Sequence, residues 1–584
     1  MQSSVQTSDT APESLSGAQM VVEALHREGV EHVFGYPGGA VLPLYDAFYR
    51  QTYFKHILVR HEQAALHMAD AYARSTGKVG VAVVTSGPGA TNAVTGIATA
   101  YADSVPLVVF SGQVATPLIG SDAFQECDTV GITRPCVKHN YLVKKIEDLP
   151  RILKEAFYIA RSGRPGPVLV DLPKDIQDAK ASFEYPDTID IVSYRPVVKG
   201  HPGQIKRALQ LLLAAKKPLF YVGGGTVLSD GAEAMNELAA MFNYPVVTTL
   251  TGIGGFDGTS PLSLGMVGMH GTYEANMAMQ ECDVLFAVGA RFDDRVIGKP
   301  SDFERPSRTI IQVDVDPSSI SKNVQTDVPI VGDVREVLSE MVRLLKESGD
   351  RPDPAATAQW VKDITLWRNK KCLAYKTKKT DPIQPQAVIE RVAEAAGSDA
   401  YFSTDVGEHQ MWAAQYLKFK KSRHWCTSGG LGTMGYGFPA ALGVQVAHPE
   451  APSVLFTGDG SIQMNIQELA TAKQYGLKPK IFLLNNGYLG MVAFWQRTFY
   501  EGHLSESVMD VQPDFVKLVE SYGHVGLRAT TYGELDKCIK DAFGRYKDEL
   551  VFIDVHIAPE EPVLPMVGPG RGLTEIVLPE GAGK

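Results

Sequence analysis

Gly458-Asp-Gly-Ser461 and Asn485-Asn486 are the residues whose types and spacing point most directly to chemistry. The first follows an apolar run that reads as a strand and opens a predicted helix; the second closes the next apolar run. A helix N-terminus offers free N–H groups to a phosphate. Two adjacent phosphates need a hard cation, and Mg²⁺ takes oxygen ligands in octahedral geometry. Asp459 can supply a carboxylate, Asn486 a side-chain carbonyl and Tyr488 a backbone carbonyl. Gly-Asp-Gly alone is a common turn sequence; its distance from Asn-Asn and the two flanking strands make the diphosphate reading specific. Glu62, in Arg60-His-Glu-Gln63, is a further candidate, an acid at the start of a predicted helix. Alone it would only complement the helix dipole. An apolar surround would favour its neutral form and the helix N-terminus its carboxylate, and the sequence leaves that balance open.

These residues need a scaffold that sets them at strand ends. Residues 56–60, 79–85 and 107–110 read as strands, with helices over 63–75 and 90–100 between them, and 168–173 closes a further unit. Strands separated by helices of this length imply parallel βαβ units. A second alternation follows a loop-rich stretch near 190. Its strands are 219–222, ending in Gly223-Gly-Gly225, 284–288, ending in Gly289, and 310–315. A third begins near Pro385, with strands over 454–456, 481–484 and 551–555 and a helix over 466–475. The expected fold is α/β, three doubly wound parallel-sheet domains over 15–185, 193–345 and 381–565, the central one Rossmann-like. A polar, basic linker over 346–380 carries a helix around Trp360 to Trp367 and a lysine cluster near 376–379.

The bulk composition narrows the function classes. At 584 residues the chain exceeds one hydrophobic core, and 44% hydrophobic with 21% charged residues is ordinary for a globular protein. A net charge of −10 with no basic block argues against nucleic acid and anionic membrane as partners. No apolar run reaches the ~18 residues of a membrane span. Residues 1–16 fit neither a secretory signal nor a transit peptide and read as a disordered tail. The six cysteines form no Cys-x-x-Cys pair, so buried free thiols in a reducing cytoplasm are expected. Two patterns mislead. His61-Glu62 with His67 lacks the spacing of a zinc His-Glu-x-x-His site. Gly430-Leu-Gly-Thr-Met-Gly435 spells a dinucleotide fingerprint, but no apolar strand precedes it, and it reads as a turn against a bound cofactor.

The Gly-Asp-Gly and Asn-Asn pair resembles the motif of thiamine-diphosphate enzymes. From about Leu15 to Pro565 the chain resembles, among them, the acetohydroxyacid synthases. The matches are Phe34-Gly-Tyr-Pro-Gly-Gly-Ala40, Ser86-Gly-Pro-Gly-Ala-Thr-Asn92, Asp122-Ala-Phe-Gln-Glu126 and Ser162-Gly-Arg-Pro-Gly-Pro-Val168. They continue through Gly289-Ala-Arg-Phe-Asp-Asp-Arg-Val296, Gly432-Thr-Met-Gly435 and Gly490-Met-Val with Trp495. The resemblance implies decarboxylation of pyruvate and joining of its two-carbon fragment to pyruvate or 2-ketobutyrate. The products are 2-acetolactate and 2-aceto-2-hydroxybutyrate, on the way to valine, leucine and isoleucine. The cofactors implied are thiamine diphosphate, Mg²⁺ and FAD, the last without net redox work.

Carried over position by position, Glu62 is the carboxyl beside the aminopyrimidine ring. Val406, Gly407, His409, Gly432, Met434, Gly458, Asp459, Gly460, Ser461, Asn486, Tyr488, Gly490 and Met491 hold thiamine diphosphate; Asp459, Asn486 and Tyr488 take the metal. Arg164, Gly223, Gly224, Gly225, Thr249, Leu250, Gly268, Met269, His270, Gly289, Arg291, Asp293, Arg295, Asp314 and Asp333 match FAD contacts. Gly39, Phe124, Gln125, Lys174, Arg295 and Trp495 match the substrate path. A guanidinium is shaped for bidentate carboxylate binding, which suits Arg295 to the second ketoacid. Two positions depart from the family pattern. Glu408 stands where Gln is commoner beside the diphosphate, and Phe494 stands where Gln is commoner before Trp495.

The same resemblance implies a homodimer, or a homotetramer, with each cofactor between two subunits, and often a small regulatory subunit. Two alternatives stand beside it. A flavin-dependent pyruvate oxidase shares the domain order and cofactors, but Arg295 and Trp495 argue against it. A catalytically silent member is opposed by the intact Glu62, Asp459 and Asn486.

Overall fold

The computed structural model describes residues 14–305, 307–378 and 380–579. Three six-stranded sheets carry the fold, and every strand pair within them is parallel. Strands of such sheets are covered on both faces and read as unbroken apolar runs rather than alternations. That is why Val168–Pro173, Val284–Val288 and Lys480–Asn485, each buried throughout, stood out in the sequence. The covering helices are amphipathic: Leu149–Arg161 buries Ile152, Leu153, Ala156, Phe157 and Ala160, one stripe of a 3.6-residue period.

The first sheet runs Lys55–Leu58, His32–Gly35, Gly80–Val84, Leu107–Gln113, Val168–Pro173, His139–Leu142. The second runs Ser263–Met266, Val246–Thr248, Pro218–Val222, Val284–Val288, Thr309–Asp314, Val328–Val331. The third runs Trp425–Cys426, Tyr401–Thr404, Ser453–Gly458, Lys480–Asn485, Val551–His556, Val525–Ala529. In each the chain builds outward from an inner strand, then returns to that strand's other side. The two strands flanking this switch send their connections to opposite faces, leaving a crevice at their carboxyl ends where ligands of open α/β sheets bind. The motifs fall there. Phe34 to Ala40 and Ser86 to Asn92 flank the first switch, Gly223–Gly225 and Gly289 the second, and Val406–His409 and Gly458–Ser461 the third.

The described residues gather into two compact units. One holds the chain up to Ala73 together with Lys78–Tyr194; the other holds Arg74–Gly77 and the chain from Arg195 onward. The second and third sheets share the latter unit because one apolar cluster includes Ile253 and Met266 alongside Trp412, Phe419 and Trp425.

Several expectations need correction. Ser14–Ser16, expected within a disordered tail, pairs as a strand with Lys180–Ser182; residues 1–13 lie outside the described residues. Trp425–Cys426 is a short edge strand ahead of the Gly430–Gly435 turn, although no apolar run announced it. The helix expected over 466–475 starts as a 3-10 turn, Ile466–Glu468, and becomes α-helical at Leu469–Tyr475. Gly458–Ser461 leads only into the 3-10 turn Ile462–Met464, so the helix-terminus argument for phosphate loses much of its force there. Among the described cysteines none is bonded to another; four are buried and Cys127 and Cys136 are half-buried.

The expected linker is no free spacer, although Lys379 of its lysine cluster lies outside the described residues. Its helix, Ala358–Arg368, buries Trp360 in the apolar layer beneath the second sheet, and the indole N–H donates to the Pro218 carbonyl at 3.0 Å. Trp360→Phe keeps the bulk and removes that bond, so chemical denaturation should show a loss of ~1–2 kcal/mol. An unchanged midpoint would mean the helix is only loosely attached.

Candidate active site

A cavity of about 1040 Å³ opens within the larger unit, bounded by the carboxyl ends of the second and third sheets. All thirteen positions expected to hold thiamine diphosphate line it, from Val406 and Gly407 through Gly432 and Met434 to Asn486, Tyr488 and Met491. Three strand ends bring them together. Val406–His409 follows Tyr401–Thr404, Gly458 ends its own strand, and Asn486 follows Lys480–Asn485. Asp405 locks the arrangement from behind: its buried carboxyl accepts the N–H of Gly435 at 2.7 Å and the Thr457 hydroxyl at 3.2 Å. Burial pushes that carboxyl up to about 6.

The walls are made for close approach. A Cβ on Gly407 would lie 2.7 Å from the His409 ring, and one on Gly460 2.6 Å from Leu489. Gly432 turns at φ +69° into open space. His409 is buried with no hydrogen-bond partner at Nε2 among the described residues, and burial pushes its pKa down to about 3, so it is neutral. A buried polar atom without a partner is costly, so an orphaned imidazole nitrogen between glycine loops marks a place where a bound group supplies the partner.

Asp459 and the Asn486–Tyr488 turn are in contact. Asp459 Oδ2 accepts the N–H of Gly487 at 2.9 Å and the Gln512 side-chain amide, and Asn486 Oδ1 accepts the N–H of Tyr488 at 3.1 Å. Asp459 forms no ion pair among the described residues, and burial pushes its carboxyl up to about 6. A desolvated carboxyl beside an amide oxygen fits a hard cation, which would favour its charged form. A charged carboxylate at Glu408 would repel a diphosphate bound beside it. Mainly by burial its carboxyl is pushed up to about 8, with Arg497 and the Asn486 amide pulling the other way and Asp459 adding to the rise. It therefore adds no full negative charge at pH 7. Its Oε2 accepts from Asn486 Nδ2 at 3.3 Å, and Gly490 leaves it room, since a Cβ there would collide with the carboxyl.

Arg295 and Trp495 also meet in this cavity, with the guanidinium carbon 6.0 Å from the indole ring centre. Arg295 starts from the short helix Asp294–Ile297, capped by Asp293; Trp495 projects from Gly490–Phe499. Phe494, one residue round that helix, is outside the cavity lining. Of the positions matched to FAD, Thr249, Leu250, Met269, His270, Arg291, Asp293 and Arg295 line the cavity. His270 Nδ1 is a second buried atom without a partner. Gly223, Gly224, Gly225, Gly268, Gly289, Asp314 and Asp333 stand behind this wall. Gly225 donates its N–H to the Gly289 carbonyl at 3.0 Å, so these glycines pack backbone on backbone across the switch. Asp314 accepts the N–H of Asp316, and Asp333 caps Val334–Ser348.

The remaining candidates belong to the other unit. Glu62 is the first residue of the helix Glu62–Thr76 and accepts from Asn92 Nδ2 at 3.0 Å. Arg164 donates to Ser104, Gly39 opens a 3-10 turn, Lys174 starts Lys174–Asp178, and Phe124 is 88% exposed. Sequence reasoning missed Gln512, which binds Asp459 from 53 residues away, and Asp405, whose partners include Gly435 and Thr457. Only the fold brings such residues in; no local pattern marks them.

Comparison with known proteins identifies the family. Residues 15–132, 205–341 and 405–555 match the N-terminal TPP binding, central and C-terminal TPP binding domains of thiamine pyrophosphate enzymes. The chain is 53% identical to the acetolactate synthase large subunit of Haemophilus influenzae, over 97% of its length and 98% of that protein. It is 54% identical to the acetolactate synthase isozyme 3 large subunit of Escherichia coli, over 97% and 99%. With the large subunit of Porphyra purpurea it shares 47% identity over 96% and 95%. The chain thus belongs to the thiamine pyrophosphate enzymes and, within them, to the acetolactate synthase large subunits.

Proposed function

We propose that the chain makes 2-acetolactate from two pyruvates, and 2-aceto-2-hydroxybutyrate from pyruvate and 2-ketobutyrate, for branched-chain amino acid synthesis. The observation that carries this reading is the meeting of Arg295 and Trp495 in the cavity that holds Asp459, Asn486 and the glycine loops. Bound thiamine diphosphate supplies the electron sink that lets pyruvate lose CO₂ and its remaining two carbons attack a second ketoacid. Asp459, Asn486 and the Tyr488 carbonyl would hold Mg²⁺, and the glycine loops around Gly407 and Gly460 would face the phosphates. Glu62 would exchange a proton with the ring nitrogen facing it. Arg295 would orient the carboxylate of the incoming ketoacid. FAD would lie along Thr249, Met269, His270 and Arg291, which line the same cavity.

Domain limits of 15–185, 193–345 and 381–565 accompany this reading, as does a homodimer or homotetramer in which Glu62 and the metal site come from different chains. A small regulatory subunit is the expected further partner, since the E. coli relative is named as a large subunit. No helix among the described residues is long and apolar enough to cross a membrane, consistent with a cytoplasmic site of action.

Anaerobic incubation with pyruvate, thiamine diphosphate, Mg²⁺ and FAD should yield acetolactate, measured as acetoin after acid treatment, with one CO₂ per product and no flavin reduction. Flavin bleaching without acetolactate would sink the ligase reading in favour of an oxidase. Trp495 sets acceptor choice through one methyl group, a contact worth ~1–3 kcal/mol. In competition assays Trp495→Leu should therefore reduce the preference for 2-ketobutyrate over pyruvate by about tenfold or more. An unaltered product ratio would remove Trp495 from that role.

A further inference from the structure

The reaction as read above makes no use of a buried polar cluster in the first sheet. Asp171, 1% exposed, lies on Val168–Pro173 beside Leu107–Gln113. Its Oδ1 accepts the Ser111 hydroxyl at 2.6 Å and its Oδ2 the Gln113 side-chain amide at 3.0 Å. The same Gln113 Nε2 donates to the Cys127 carbonyl at 2.7 Å, and Gln113 Oε1 accepts the N–H of Val114 at 2.9 Å. Both ends of the Gln113 amide are thus committed, and Asp171 fixes which way round it sits. Burial pushes the Asp171 carboxyl up to about 7. A sheet interior would be as stable with apolar side chains there; a satisfied polar network specifies direction instead.

That direction is toward one loop. Four residues beyond Asp171, Asp175 accepts the N–H of Thr116 at 2.9 Å and also its hydroxyl. The loop from 114 to 127 is thus tied near its start by Asp175 and at its end, through Gln113, by Asp171. Between the ties Glu126 folds the loop on itself by accepting the N–H groups of Gly120 and of Ala123, the latter at 3.0 Å. Asp122 and Gln125 sit in the left-handed region, at φ 57° and 60°. Gln125 presses on Gly87: a Cβ there would lie 2.9 Å from the Gln125 carbonyl oxygen. Gly87 opens the helix Pro88–Ala102, whose Asn92 holds Glu62.

We propose that Asp171 and Asp175 are positioning residues for ketoacid binding: through Gln113 and Thr116 they pin both ends of the 114–127 loop and so set where Phe124 and Gln125 stand. The inference rests on the reading above that Phe124 and Gln125 line the substrate path. Asp171→Leu keeps the bulk but removes the acceptor of the Gln113 amide, which is then free to turn and release the Cys127 carbonyl. Thr116→Val cuts the hydroxyl tie at a half-buried position outside the sheet core.

The test measures pyruvate KM and kcat for Asp171→Leu, Thr116→Val and Gln125→Ala in the full holoenzyme. Loss of the Asp171 tie should raise KM by about tenfold, the worth of one or two hydrogen bonds, with kcat retained. Thr116→Val should move KM the same way by a few-fold. A merely structural role would lower the melting temperature and the active fraction, hence kcat, and leave KM alone. Unchanged KM in Asp171→Leu with a raised KM in Gln125→Ala overturns the tie but not the reading of the loop. Unchanged KM in Gln125→Ala overturns both. Should Asp171→Leu fail to fold, Thr116→Val decides, and an unchanged KM there overturns the proposal.

Discussion

Glu62→Gln is expected to lower acetolactate formation by about 10³-fold while leaving thiamine diphosphate bound, because a positioned proton-transfer group contributes ~10²–10⁴-fold. Gln is the right control. It keeps the length of the side chain and an oxygen for the Asn92 amide, now 3.0 Å from Glu62 Oε2, so the start of Glu62–Thr76 need not move. What it loses is the exchangeable proton. Cofactor affinity, read by calorimetry, should change little, since the diphosphate is expected to be held by the loops of the third sheet. The signature is therefore a collapse of kcat at nearly constant affinity. A variant retaining even a third of wild-type activity would remove Glu62 from the chemistry.

Asp459→Ala should raise the Mg²⁺ concentration for half-maximal activity by at least ~10²-fold, since changes to groups merely supporting a metal ligand cost 10–100-fold. The same substitution takes away the partner of the Gly487 N–H and of the Gln512 amide, so the Asn486–Tyr488 turn should loosen as well. Asp459→Asn separates the two effects. It keeps an acceptor for Gly487 but no charge, so a melting temperature close to wild type with the same loss of Mg²⁺ affinity would assign the deficit to the metal. Normal Mg²⁺ dependence in both variants would exclude Asp459 as a ligand. The pair of substitutions also examines the proposed dimer. If Glu62 and Asp459 of one site come from different chains, mixed and reassociated Glu62→Gln and Asp459→Ala proteins recover one intact site in each hybrid dimer. Random mixing makes half the dimers hybrid, so about a quarter of wild-type activity should return. No recovery would place both residues of each site in a single chain.

Much of this protein was legible in its residues, and the legible parts share a cause. Val284–Val288 and Lys480–Asn485 could be read because parallel strands bury both faces and leave unbroken apolar runs. Asp459, Asn486 and Gly223–Gly225 could be read because ligand loops of such sheets lie at strand ends, where a local pattern of glycine and acid marks them. The errors were local too. Trp425–Cys426 has two residues and no apolar run, so nothing short of its pairing with Tyr401–Thr404 reveals it as a strand. A 3-10 start at Ile466 differs from an α-helix only in hydrogen-bond register, which side-chain periodicity barely registers.

What only the tertiary structure decided is how distant side chains meet and what charge they then carry. From the sequence Glu408 could be read only as a carboxylate beside the expected diphosphate loops; burial against Asn486 and Gly490 pushes it up to about 8, because desolvation acts on the assembled site and not on the sequence. Trp360, in a stretch that reads as linker, became part of the core because a surface of the second sheet lay open to it. Gln512 came to Asp459, and Gln113 to both Asp171 and Cys127, across separations that no periodicity spans. Sequence alone determined the strands, the loops at their ends and the chemistry those loops could hold, since each rests on neighbours along the chain. Contacts, protonation states and the aim of each side chain rest on neighbours in space, and those exist only once the sheets have formed.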